Sequence, residues 1–161
     1  MGQSELETQL SNLNKAYNAE PIIITTPIEI LMPVQDYTEM HGRARAYFIA
    51  DRNYTVSAIK AVHGIAQTSA DGASLMVSKA TDTTAPGEAY LHLITDTAFT
   101  GGGAVYKGFN LKGIAANTVT DCTLTTTGTS LQLSAGDRLV YGCNGTLSTQ
   151  SITLITKLVR R

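Results

Sequence analysis

Tryptophan is missing from this chain, cysteine occurs twice, proline four times, and charged residues are sparse. Each shortage excludes something. Two cysteines, Cys122 and Cys143, cannot frame a disulfide scaffold in 161 residues, so the fold must rest on a core. Both are expected as reduced, half-buried thiols, with a single bridge as the alternative if neighbouring strands bring them together. Twelve Lys and Arg against thirteen Asp and Glu leave no basic excess for a phosphate backbone. Arg43, Arg45 and Arg52 form a small local group that reads as solvated or paired. No stretch approaches the roughly 18 apolar residues of a membrane span, and the opening "MGQSELETQL" is polar and acidic, unlike a secretory leader. Neither nucleic acid nor a membrane is expected as a partner.

What is present is β-forming. Apolar residues make up 43% of the chain, enough for one core, while charged residues reach only 16%, below the usual quarter or so of a soluble domain. The difference is filled by 23 Thr, with 14 Gly and 7 Tyr. Threonine is β-branched and half-polar, which suits a strand face that is wet or abuts another chain. The length predicts one domain.

Three regions follow one another. Residues 1–18 hold a short amphipathic helix: Ser4 and Glu7 have the spacing of a capping box, and Leu6, Leu10, Leu13 and Tyr17 share one stripe. A lone helix of about 15 residues is marginal in water, so the stripe has to dock, on its own body or on copies of itself as a two- or three-stranded coiled coil. Residues 19–43 carry Pro21, Pro27 and Pro33, six apart, which predicts an extended arm. About 25 extended residues reach roughly 80 Å, whereas a compact body of the remaining residues spans only about 35 Å. The arm's apolar side chains, Ile22, Ile24, Ile28, Ile30, Met32 and Val34 among them, therefore suggest a partner's surface. The alternative is that Pro21 to Val34 forms the first strands of the chain's own sheet.

Residues 44–161 read as the body. "RAYFIA", "YTVSAIKAVHG", "ASLMVSKA", "VYKGFNLKG", "TVTDCTLTT", "TSLQLSAGDRLVYGC" and "QSITLITKLVRR" are strand-like and end in Gly, Asn or Asp. In the stretch from Asp82 to Gly103, Pro86, Glu88, Leu91 and Ile94 suggest one short helix. Tyr54, Val56, Ala58 and Lys60 alternate with Thr55, Ser57 and Ile59; in the last strand Ile152, Leu154, Thr156 and Leu158 share one face. The tail from Leu133 reads as strand, turn, strand, a closing hairpin. The fold class is all-β, a β-sandwich or jelly roll of about eight strands, preceded by the helix and the arm.

Chemistry is hard to find in these residues. His41, His63 and His92 are far apart and lack metal-ligand spacing. "GGGAVYKGF" lacks the spacing of a phosphate loop, and no Gly-x-Ser-x-Gly elbow occurs. Asp36, Glu39, Asp51, Asp71, Asp82, Glu88, Asp96, Asp121 and Asp137 form no evident pair; Asp137, in "AGDRL", fits the role of tying down the turn before a strand. Neither an enzyme nor a cofactor is predicted.

"FNLKGIAANTVTDCTLT", "LQLSAGDRL", a short turn with "GTL" and the final amphipathic strand, together with "ADRNYTVSAIKAVHG", resemble small virion proteins of tailed bacteriophages. The likeness covers roughly residues 46–161 and rests on turn and strand-end residues. It implies a capsid decoration (cement) protein or a head-fibre component: a β-sandwich, often trimeric, made in the host cytoplasm and carried on the outer capsid surface. The implied partners are the major capsid protein and the chain itself. Ile22, Ile24, Ile28, Ile30, Met32 and Val34 are then the expected capsid contacts, and Leu6, Leu10, Leu13 and Tyr17 the self-association or docking residues. A receptor- or glycan-binding fibre component is the alternative, weakened by the missing Trp.

Overall fold

A computed structural model describes residues 2–28, 45–64, 73–81, 91–92, 99–101, 104–106, 108–111, 113–145 and 152–161. Among them lie one helix, α1 (Gln3–Ala19), and twelve strands: β1 (Ile22–Pro27), β2 (Arg45–Ile49), β3 (Tyr54–His63), β4 (Ala73–Ala80), β5 (Leu91–His92), β6 (Phe99–Gly101), β7 (Ala104–Tyr106), β8 (Phe109–Asn110), β9 (Thr118–Asp121), β10 (Gln132–Leu133), β11 (Arg138–Gly145) and β12 (Ile152–Arg160). One sheet has the order β1–β12–β3–β10, with β9 also on β3. The second has the order β2–β11–β4–β5, with β8 also on β4, and β6 pairs with β7. All pairings are antiparallel. The orders β1–β12–β3–β10 and β2–β11–β4–β5 are those of a jelly roll. The expected all-β sandwich is what the chain forms.

The core lies between the sheets. From the first come Val56, Ile59, Ala61, Leu133, Ile152, Leu154 and Leu158; from the second, Leu75, Val77, Leu139 and Tyr141. β12 alternates as its sequence predicts, and its one polar inward residue is satisfied: the hydroxyls of Thr156 and Tyr47 hydrogen-bond across the sheets at 3.0 Å. β3 does not keep strict alternation. Lys157 pairs with Ala58 but Leu158 with Val56, so Ser57 is an extra, bulged residue. The bulge returns Ile59 to the face of Tyr54 and Val56, and Ala61 and His63 follow. A second irregularity, in the pairing of β2 with β11, skips Tyr47 and lets both Tyr47 and Phe48 pack on the core. At Gly108, φ is +100°, and a Cβ would stand 2.7 Å from the Leu75 carbonyl oxygen, so only glycine lets this turn lie against β4.

Several expectations need correction. The tail is no hairpin: β11 and β12 belong to different sheets, and β12 is an interior strand between β1 and β3. Leu91–His92, expected in a helix, form a strand paired with Lys79 and Ser78. Ser4 is not the helix cap. Gly2 is, and its backbone N–H donates to the Glu5 carboxylate at 2.8 Å, so the capping carboxylate is two residues earlier than the sequence spacing suggested.

The arm is the largest revision. Ile22 to Pro27 pair along their whole length with β12, and the Ile28 N–H continues the ladder to the Ile152 carbonyl at 2.9 Å. Ile22 and Ile24 pack against the core and Ile28 is buried within it. The alternative in which this segment supplies the chain's own first strand therefore holds for residues 22–28. Because the Ile28 N–H points at β12, the alternate residues 22, 24 and 26 do too, and Pro27 faces the open side. There its missing donor costs no ladder bond and discourages a further strand from adding.

Candidate interaction surfaces

α1 stands on the sandwich by its C-terminal end. Its last turn holds no basic residue; Arg160, at the end of β12, supplies one. The Arg160 guanidinium donates to the Tyr17 carbonyl at 2.7 Å and the Glu20 carbonyl at 3.2 Å, and lies 4.3 Å from the centre of the Tyr17 ring. It thereby fills orphan acceptors at the negative end of the helix dipole. The rest of the helix projects: Leu6, Leu10, Leu13 and Tyr17 are all more than half exposed. The structure brings these four residues onto one face, as expected, and leaves most of that face exposed, with Arg160 of the body against the Tyr17 ring.

The second surface is the outer face of the first sheet. Pairing places Pro27, Thr153, Val62 and Val119 in one row and Thr25, Ile155, Lys60 and Asp121 in the next, with Ile23, Lys157 and Ala58 beyond. Ile23 and Val119 are more than half exposed. Lys60 and Asp121 form an exposed ion pair at 3.0 Å, which removes much of the row's charge but adds little stability. This face was missed in the sequence because Ile23 sits between two inward isoleucines; the parity of a strand would have separated it from them.

Of the residues expected to touch a capsid, Ile22, Ile24 and Ile28 are therefore committed to the chain's own core, because an inward strand face cannot also serve a neighbour. Ile30, Met32 and Val34 lie outside the described residues, as do Arg43, His41 and the carboxylates Asp36, Glu39, Asp71, Asp82, Glu88 and Asp96.

The buried polar groups within the sandwich serve the fold. Asp137 accepts the Ser134 N–H at 2.8 Å, and its own N–H returns to the Ser134 carbonyl at 3.0 Å, the turn-fixing role expected of it. Lys79 reaches the same carboxylate at 4.0 Å and donates to the carbonyls of Gln132 at 2.8 Å and Thr129 at 3.3 Å. Asp51 is held below the ordinary carboxylate range by the Tyr54 hydroxyl first and then by Arg52, its ion-pair partner. Cys122 and Cys143 are free thiols, each pushed up to about 12 by burial, so neither is a ready nucleophile. Burial likewise raises the Tyr47 phenol. His63 is fully enclosed with neither ring nitrogen hydrogen-bonded, and desolvation lowers its pKa. Among the described residues no cluster of metal-ligating side chains occurs, and no helix is long and apolar enough to cross a membrane. No family model, curated protein or solved structure matches the chain.

Proposed function

We propose that this chain is a structural protein of a tailed-phage particle, binding the outside of the capsid and reinforcing contacts between major-capsid subunits. The supporting resemblance spans residues 46–161. The observation that carries the reading is that the sandwich fills its own core and still turns large apolar side chains to solvent, on α1 and at Ile23, Ile49 and Val119. Such surface is what a protein that works by contact presents to its partner. In this reading the outer face of the first sheet takes the capsid-binding role first assigned to Ile22, Ile24 and Ile28. Its rows of Val, Ile and Thr, with Lys60 and Asp121 paired to each other, suit a wide subunit junction.

The test is co-sedimentation with shells of the encoding particle assembled without this protein, together with labelled-antibody microscopy of intact particles. Saturable binding to shells, lost in the Ile23→Asp/Val119→Asp variant, supports the reading. Label confined to a tail tip would overturn it in favour of a fibre or adhesin, and absence of label from particles would overturn both.

A further inference from the structure

We infer that Arg160 is the positioning residue of α1: it fixes the direction in which the helix leaves the body, so that the exposed stripe is held out as a rigid contact element. The chain has little slack at this joint. The Glu20 N–H still closes a helical bond to the Ala16 carbonyl at 3.2 Å, and Ile22 is already paired with Leu158 of β12. Only Pro21 lies between. Its ring fixes its own φ and confines the residue before it to extended backbone, which Glu20 adopts at φ −67° and ψ 125°.

Little more than the ψ of Pro21 remains to swing the helix, and Arg160 restrains it. The main chain of Arg160 is held in the sheet opposite Tyr54, while one guanidinium nitrogen, Nη1, donates to the Tyr17 and Glu20 carbonyls together. One acceptor belongs to the last turn of the helix and the other to the joint. The centre of the guanidinium lies 4.3 Å from the centre of the Tyr17 ring, and Nε is fully enclosed, although it makes no hydrogen bond. Two hydrogen bonds and a ring contact from one seated, planar side chain set an angle, whereas a single charge contact sets only a distance. The lever is about 25 Å long over its 17 residues, so a small change of angle at the joint moves Leu6 by several ångström. A contact element held in one direction loses less freedom on binding than one that swings. That is the use to which the capsid reading, on which this role rests, puts the joint.

The experiment uses the full chain, spin-labelled at Gln3→Cys and Ala135→Cys and diluted with unlabelled chain so that only distances within one chain are read. Cys122 and Cys143, their thiols pushed up to about 12 by burial, stay unlabelled at neutral pH. Pulsed dipolar spectroscopy should give one narrow distance distribution. Arg160→Ala should widen it at least twofold while circular dichroism keeps the β signal and all but the last helical turn. Arg160→Lys should fall between them, because an ammonium reaches a carbonyl but cannot lie flat on the ring. Shell co-sedimentation by the Arg160→Ala variant should weaken about tenfold, since the helix must then be ordered on binding. A parent distribution as wide as that of Arg160→Ala overturns the inference, as does undiminished shell binding by a widened variant. The capsid reading is separable: narrow distances in a chain that ignores shells sink only that reading, and wide distances in a chain that decorates them sink only this inference.

Discussion

α1 and β1 are neighbours in the sequence and each carries three large aliphatic side chains, yet one shows its apolar face to solvent and the other hides it. In β1 every second residue faces the core, and the ladder to β12 is made at the same time, so Ile22, Ile24 and Ile28 gain burial and hydrogen bonds together. In α1 the backbone bonds are already closed within the helix, and among the described residues it is Arg160 that hydrogen-bonds its end to the body. Its stripe stays more than half exposed, with Arg160 of the body against the Tyr17 ring. Apolar content says that a segment will be covered; the period and the source of its backbone bonds say by what.

The contrast can be broken most forcefully from the strand side. Ile28→Ala removes a core side chain that is 3% exposed and should lower the unfolding free energy by about 3 kcal/mol, read by urea denaturation. An equal loss from Leu10→Ala, measured where the chain is monomeric, would erase the distinction between the two segments.

His63 probes the same sheet without touching the helix. It pairs with Ile152, the residue whose carbonyl receives the Ile28 N–H. Its folded pKa lies below the ordinary 6.5, so the unfolded chain takes up the proton first. The stability it supports is fully present above that ordinary value and is lost as the pH falls below it, by up to about 1.4 kcal/mol per pH unit. Thermal melts between pH 7.5 and 5 should show this slope in the parent and a shallower one in His63→Leu, with variants of α1 leaving it unchanged.

Smaller effects separate attachment from folding. Arg160→Ala should fray the C-terminal turn of α1 and cost about 1 kcal/mol, the scale of a helix-end charge and cap, seen as lost helical ellipticity with the sandwich intact. Leu10→Ala in the monomer should change unfolding by no more than about 0.5 kcal/mol, as exposed sites do.

The strand pattern of the body was legible because period-two alternation survives in β12 and in the two ends of β3. Its phase within β3 was not, since the bulge at Ser57 is decided by the register with β12. Nor does a local pattern show which sheet a strand joins, which is why β11 and β12 looked like a hairpin. The stripe of α1 could be read from four residues, but its exposure depends on what the body fails to place beside it. The prolines were misleading for a physical reason. An even spacing puts their missing donors on one edge of a strand, so Pro21 and Pro27 are as compatible with a guarded edge as with a free arm.

Hydrogen–deuterium exchange on the parent and on Leu10→Asn/Leu13→Asn, side by side, reads both segments at once. The amides of residues 22, 24, 26 and 28 should stay protected in both proteins, whereas those of α1 should exchange sooner. Amides of α1 as slow as those of β1, or β1 amides exchanging as fast as an unstructured chain, would contradict this.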